Sequence, residues 1–339
     1  MKILITGISG RIGANLAKQL VEQGHSVRGL IWPRDPRREK LAAFNVDLVD
    51  GDLTSRSDVA RAMVDIEAVY HLGAAFQGGG PFTNDEYFEI NVRGTFNMLE
   101  ASRERGNALR HFFYASSDAI YQKYVLGGIP EPIHEDTMPV LPSGLYPMTK
   151  RLGEDLCLDY HRTFGLPATI FRFALARAGD EILDFPQFYI EHWLQVYAHK
   201  TSSAGQAVYS ELKKLEEAGV ELLIAQDENG KSYRKHIVDV RDMVAGMLCA
   251  LGNSEASGQA FHLAAPEAFT WEATIPYLAS ALGLKYGQVA LRDQVPTDYS
   301  FDLSKSRAIL GYQPQYDIVT MIDDAIAIRR GESGDVIPT

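Results

Sequence analysis

From Ile3 to Phe173 the chain alternates short apolar runs with longer stretches in which apolar residues recur every three or four positions. Ile3-Leu4-Ile5 is the first run and ends in Thr6-Gly7. A helical pattern follows at once, with Ile12, Leu16, Leu20 and Val21 on one face, and stops at Gly24. Further runs predict strands over 25–31, 46–49, 68–72 and 111–115, and helical spacing predicts long helices over 85–105 and from Tyr146 to about Phe164. A short apolar run bounded by turn residues fits a buried strand, and the wider spacing fits a helix with one buried face. Strands alternating with helices build a doubly wound α/β fold, whose ligands sit at the carboxyl ends of the strands.

The candidate chemistry falls at those ends. Gly7, Gly10 and Gly13 separate the first strand from the first helix. Such glycines permit a tight turn, a close approach of backbone to phosphate, and close helix–strand packing. The first N–H groups of the helix have no partner within it and bind a pyrophosphate. At the end of the second strand, where a carboxylate would accept from a ribose 2′-hydroxyl, the chain has Ile31, Trp32 and Pro33, with no acid before Asp35. Arg34, Arg37 and Arg38 stand beside it, and a guanidinium suits a 2′-phosphate, so NADP is expected over NAD. Asp52 follows the third strand, placed either to take an adenine amino group or to cap the helix starting near Ser55. Small residues Gly73-Ala74-Ala75 after the fourth strand let backbone pass close to a flat ligand, and 76–83 (FQGGGPFT) reads as a flexible loop.

The fifth strand ends in Ser116-Ser117-Asp118, and the Pro- and Gly-rich stretch 121–145 reads as a loop over the site. Tyr146 and Lys150 come next, four apart and so on one face of a helix. A nearby ammonium favours the phenolate of a tyrosine and makes it a usable acid and base near neutrality. A hydroxyl such as that of Ser117 can polarise the same substrate oxygen.

Taken in order, TGISGRIG (6–13), GDL (51–53), HLGAA (71–75), NVRGT (91–95), SSDAIY (116–121), YPMTK (146–150) and Arg172-Phe173 resemble the extended short-chain dehydrogenase/reductase superfamily, in its NAD(P)-dependent epimerase/dehydratase branch. VDVRD (238–242), FHL (261–263) and DLSKSRAILGY (302–312) extend the likeness over nearly the whole chain. The resemblance implies a Rossmann domain of residues 1–173 plus about 236–266, and a smaller, mainly C-terminal substrate domain of about 174–235 plus 267–330. It implies catalysis by Ser117, Tyr146 and Lys150, with Lys150 also on the nicotinamide ribose. Cofactor contacts are expected at Gly7, Ser9, Gly10, Arg11, Ile12, Gly13, Arg34, Asp52, Leu53, Leu72, Ala74, Asn91, Ser116, Tyr146 and Lys150. Asn91 also matches a position that is usually structural, near the lysine helix. Asp118 and Arg177 are the expected substrate contacts.

Three departures limit the activity. Asp118 matches the acid of family dehydratases, but Ala119 stands where their glutamate base would be, which disfavours water elimination of that type. Leu175-Ala176-Arg177-Ala178-Gly179 replaces the family's Asn-Val-Tyr-Gly-Pro, whose asparagine helps hold a nucleotide sugar. Residues 184–235 are unusual for the branch, with an aromatic stripe (Phe185, Phe188, Tyr189, Trp193, Tyr197) expected as core or subunit contact and a charged helix near 210–218. Arg177, Arg234, Lys235 and His236 are basic candidates for an anionic substrate. The expected activity is at a secondary alcohol or ketone, first as a sugar or nucleotide-sugar epimerase working through a keto intermediate. The alternatives are an NADPH-dependent reductase of a small carbonyl compound and a non-catalytic dinucleotide sensor.

Composition narrows the setting. At 339 residues, 46% of them hydrophobic, the chain has the make-up of an ordinary globular protein with length for one large or two modest domains. A net charge of −11 argues against non-specific binding to nucleic acid or acidic membranes. Cys157 and Cys249 lie in helical patterns and are expected as small core residues in a reducing compartment. Met1 leads straight into a core strand and no apolar run reaches the roughly 18 residues of a membrane span, so a cytoplasmic location is expected. The nine histidines show no metal-ligand spacing, and no metal is expected. A homodimer joined through the helices near 85–105 and 146–164 is expected; light scattering that reports a monomer at micromolar concentration would refute it.

Overall fold

The computed structural model describes residues 1–76, 80, 82–332, 334 and 336–338. Residues 77–79 and 81 of the predicted loop 76–83 therefore lie outside the described residues. The first six strands are β1 (Lys2–Thr6), β2 (Ser26–Ile31), β3 (Val46–Asp50), β4 (Ala68–His71), β5 (His111–Ser117) and β6 (Ala168–Phe173). With Gln259–Leu263 they form one parallel seven-stranded sheet in the order 259–263, β6, β5, β4, β1, β2, β3. The order reverses between β1 and β4, and the crevice that opens there at the strand ends is where a dinucleotide lies in such a sheet.

Both faces of the sheet are covered, as its uninterrupted apolar strands require. Helix α1 (Arg11–Glu22) packs on one face through Ala14, Leu16, Ala17 and Leu20, beside Met243, Val244 and Met247 of the helix Val240–Cys249. Helix α2 (Arg56–Ala62), a long helix over 84–104 here called α3, and α4 (Leu145–Phe164) cover the other. Helix α3 contains one π turn, Glu89–Arg93, which its apolar spacing does not signal.

A second apolar core gathers residues 182–237, 269–291 and 321–325. Phe185, Phe188, Trp193 and Tyr197 are buried in it, so the aromatic stripe is core. Tyr299, Phe301, Leu303, Leu310 and Tyr312 pack on the first core instead, although their place in the sequence puts them with the smaller unit. Cys157 is buried, but Cys249 is exposed and is not a core residue. Among the described residues no helix is long and apolar enough to cross a membrane.

Candidate active site

The glycine turn after β1 is built at the limit of contact. Gly7 has φ +69°, and a Cβ there would lie 2.8 Å from the Gly73 nitrogen on the neighbouring strand end. A Cβ on Gly13 would lie 2.3 Å from the Gly7 carbonyl oxygen. These two positions hold the turn against β4 and against α1, so only glycine fits either. Gly10 is the N-cap of α1 and no side chain caps that helix. Its first-turn N–H groups therefore stand ready for an anion.

Asp35 folds back onto this turn. Its carboxylate accepts from the Ser9 hydroxyl at 2.5 Å and takes both Nε and an Nη of Arg37, at 2.9 and 2.8 Å. The Arg37 guanidinium holds its carboxyl well below the usual carboxylate range. Arg38 pairs with Asp50 at 2.6 Å, and Arg34 is exposed. Two of the three arginines read as phosphate binders thus have carboxylate partners already. The side chain of Arg11 pairs with Glu181 at 2.9 Å, which leaves its backbone N–H as the group facing the anion position.

Asp52 does not cap α2. Ser55 is that N-cap, and Asp52 instead accepts from the Thr54 N–H at 2.8 Å. Asn97 holds the turn by donating to the carbonyls of Leu53 and Thr54. Leu72 and Ala74 are half-buried on the stretch after β4, which Thr6 secures by accepting from the Gly73 N–H and bonding to His71. Asn91 lies in the π turn of α3 and is buried. Its amide donates to the Ala75 carbonyl and the Thr149 hydroxyl, and its oxygen accepts from the Ala75 N–H. Both of its hydrogens are engaged within the protein, so Asn91 is a clamp between the β4 end and α4 rather than a cofactor contact.

Ser117 and Tyr146 meet where β5 ends beside the start of α4, and Lys150 follows one turn further along that helix. Tyr146 is nearly buried, with its ring edge-on to Phe76 at 5.6 Å and Tyr87 at 6.4 Å. Burial pushes its phenol up, and the Ser117 hydroxyl pulls the other way. The lowering expected from Lys150 is not seen: the Lys150 ammonium lies over the Tyr114 ring, 4.5 Å from its centroid. Burial brings Lys150 down to about 8. Among the described residues no side chain or carbonyl accepts a hydrogen bond from it. The buried Ser116 hydroxyl also lacks a partner among the described residues. A buried ammonium and a buried hydroxyl without acceptors, beside an uncapped helix N-terminus, form the donor set that a nicotinamide dinucleotide needs.

The model of the NAD dependent epimerase/dehydratase family matches residues 3–264. The chain belongs to that family. A short-chain dehydrogenase/reductase superfamily protein from Agrobacterium tumefaciens, with bound NAD, superposes with a TM-score of 0.82 at 30% identity over 98% of each chain. The CDP-paratose 2-epimerase of Salmonella typhi is 27% identical over 286 residues, 78% of each protein. The 3-beta-hydroxysteroid dehydrogenase of Mycolicibacterium neoaurum is 32% identical over 174 residues, 49% of this chain and 44% of its own length. This chain thus spans less than half of that relative. It is an enzyme of the extended short-chain dehydrogenase/reductase type.

Several residues of this epimerase/dehydratase-family chain that sequence pattern singled out prove to hold the site together. Arg172 donates to both carboxylate oxygens of Glu154 on α4, at 3.0 and 2.8 Å, and to the Tyr121 hydroxyl and the Glu135 carbonyl. Tyr121 in turn meets His262 at 2.8 Å. This buried network ties the sheet, α4 and the 121–145 loop together. Arg234 is engaged with Asp298 and the carbonyls of Ile129 and Pro130. His236 lies between the Ala265 carbonyl and the Phe301 N–H.

Asp118, Arg177 and Lys235 lie near one another where the two cores meet. Asp118 forms a buried ion pair with Lys123, a residue that sequence reasoning missed because it sits in an aperiodic loop. Its one sequence signal is its place two residues after Tyr121. The Lys123 ammonium lies 5.0 Å from the Tyr299 ring centroid. Arg177 and Lys235 both lie over the Phe185 ring, at 5.0 and 5.1 Å from its centroid.

Proposed function

We propose that the chain is an NAD-dependent epimerase acting at a secondary alcohol of a sugar or nucleotide sugar, through a ketone intermediate. The meeting of Ser117 and Tyr146 at the end of β5, with Lys150 one turn further along α4, carries this reading. When bound, the dinucleotide supplies reversible hydride exchange with the alcohol carbon. The first turn of α1 would hold its pyrophosphate, Asp35 its adenosine ribose, and Ser116 and Lys150 its nicotinamide side. Tyr146 takes the hydroxyl proton as the ketone forms and returns it when the opposite face is reduced. Ser117 donates to the same oxygen and orients it. Ala119 leaves elimination without the family's usual base. The CDP-paratose 2-epimerase that aligns over most of both chains supports the choice of epimerisation.

A reductase of a small carbonyl compound is the second reading, favoured by the Leu175–Arg177 strand where nucleotide-sugar binders carry asparagine. The two differ in stoichiometry. An epimerase incubated with a panel of nucleotide sugars and sugar acids shows no net change at the dihydronicotinamide absorbance while proton NMR shows a second epimer. Stoichiometric consumption of reduced cofactor would overturn the epimerase reading.

NAD is favoured over the NADP that the sequence suggests. Asp35 stands at Ser9, and its negative charge opposes a 2′-phosphate there. The variant Asp35→Asn is expected to lose about tenfold or more in affinity for NAD, the scale of one charge-assisted hydrogen bond. Freed of its partner, Arg37 should raise affinity for NADP in the same protein. Titration of both cofactors by tryptophan or nicotinamide fluorescence measures the ratio, and an unchanged ratio would rule out Asp35 as the discriminating residue.

A further inference from the structure

Where the two cores meet, around Phe185, the cations Lys235 and Arg177 have no carboxylate at ion-pair distance among the described residues. Lys235 is buried, and its ammonium donates at 3.1 Å to a neutral acceptor, the Gln187 side-chain oxygen. Arg177 donates to the Ala176 carbonyl, while its buried Nε has no partner. Both sit on the single ring of Phe185. Burial depresses the Lys235 ammonium and Lys123 depresses it further, partly offset by Asp118; burial and Arg11 do the same to Arg177, partly offset by Glu181.

The acids nearby have cations of their own. Asp118 pairs with Lys123, and Glu181 pairs with Arg11. The remaining titratable neighbour, His192, is driven toward neutrality by burial and by Lys235. Two like charges, one buried and one half-buried, with no carboxylate at ion-pair distance are costly in a low-dielectric setting, and an anion that enters between them removes that cost. The pair is also next to the reacting groups. Asp118 follows Ser117 directly and acts on Tyr146, Lys123 and Lys235 alike.

We propose that Lys235 and Arg177, supported on Phe185 and bordered by the Asp118–Lys123 pair, form a subsite for a carboxylate or phosphoryl group carried by the reacting portion of the substrate. This deepens the reading of the chain as an enzyme at a secondary alcohol and rests on it. The residues that build the subsite explain the unusual 184–235 segment. That segment brings Phe185, Gln187 and Lys235, and the Gln187 carbonyl is fixed by two indole N–H groups, from Trp193 and Trp271. The indole bonds and the buried aromatic core hold Phe185 and Gln187 rigidly, as a charged binding site requires.

The test is calorimetric titration of the full-length protein loaded with NAD, using D-gluconate, D-glucose 6-phosphate and neutral D-glucose. At least one anion is expected to bind ten times or more tightly than glucose. A response to gluconate alone assigns a carboxylate, and a response to the phosphate ester alone assigns a phosphoryl group. Lys235→Met and Arg177→Met should each weaken anion binding at least tenfold, while Lys235→Arg restores part of it. Affinity should fall as pH rises through about 7, where the free Lys235 loses its proton. Removing an uncompensated charge should leave the Tm of Lys235→Met equal to or above that of the parent, and the comparison of anions with glucose needs no variant at all. Anions that bind no better than glucose, or Met variants that bind as the parent does, would overturn the subsite. Tyr146→Phe should keep anion binding, so a protein that binds anions but turns over nothing would refute the catalytic reading and leave the subsite standing.

Discussion

Replacing Tyr146 by Phe is expected to lower kcat by about 10²–10⁴, the range lost when a positioned acid–base group is removed. Cofactor affinity should change by less than about twofold, which in energy is a few tenths of a kcal/mol. The ring itself is retained, and with it the edge contacts to Phe76 and Tyr87, so the substitution removes one oxygen and little else. The phenol matters because burial disfavours its anion and only the Ser117 hydroxyl offsets that within the protein. A proton can therefore leave the substrate hydroxyl only as the phenolate is stabilised by groups that gather around it on binding. Lys150→Met should differ from it by weakening cofactor binding as well, since the buried ammonium has no acceptor among the described residues to replace a ribose. Turnover by NMR and cofactor titration on the same preparations separate the two variants. Tyr146→Phe with parental turnover would remove the acid–base role and favour a protein that senses the dinucleotide without chemistry.

Arg172→Met is expected to cost about 3 kcal/mol of folding stability, the lower end of the usual penalty for removing one partner of a buried ion pair, because Arg151 stays 3.8 Å from the Glu154 carboxylate. Glu154 is fully buried and both of its oxygens accept from Arg172. The same guanidinium reaches Tyr121 and the Glu135 carbonyl, so its loss also removes two ties to the 121–145 loop. The double variant Arg172→Met with Glu154→Leu should recover a large part of the loss, because two apolar side chains leave no buried charge behind. Urea unfolding of the parent, both single variants and the double variant supplies the full cycle. A single variant within about 0.5 kcal/mol of the parent, the scatter of ordinary surface changes, would show that the network contributes nothing to the fold.

These two residues show different degrees of legibility. Tyr146 and Lys150 could be marked from spacing together with their place after the fifth strand and its serine, because four residues on a helix are about one turn and bring two side chains to one face. Arg172 could be marked only as a match to a pattern, since nothing in its neighbours in sequence shows that Glu154 is its partner. Asn91 stands where the resemblance implies a structural residue near the lysine helix, yet its partners could not be read. Its position on α3 is readable, but the π turn that aims it at Ala75 and Thr149 depends on the packing of α3 against α4. Asp35 is the sharper lesson. Counted along the chain it lies beyond the end of β2, yet the turn after that strand brings its carboxylate back to Ser9.

What the sequence by itself determined was periodic or local. The strand–helix alternation, the glycine turn and the tyrosine–lysine pair all follow from spacings of a few residues, where backbone geometry leaves little choice. The tertiary structure decided which charges meet. Ser9 with Asp35, Arg11 with Glu181, Arg172 with Glu154, and Arg177 with Lys235 on one phenyl ring come from segments joined only by folding. Electrostatic energy depends on distance and burial, and neither is written in the order of residues until the cores have closed.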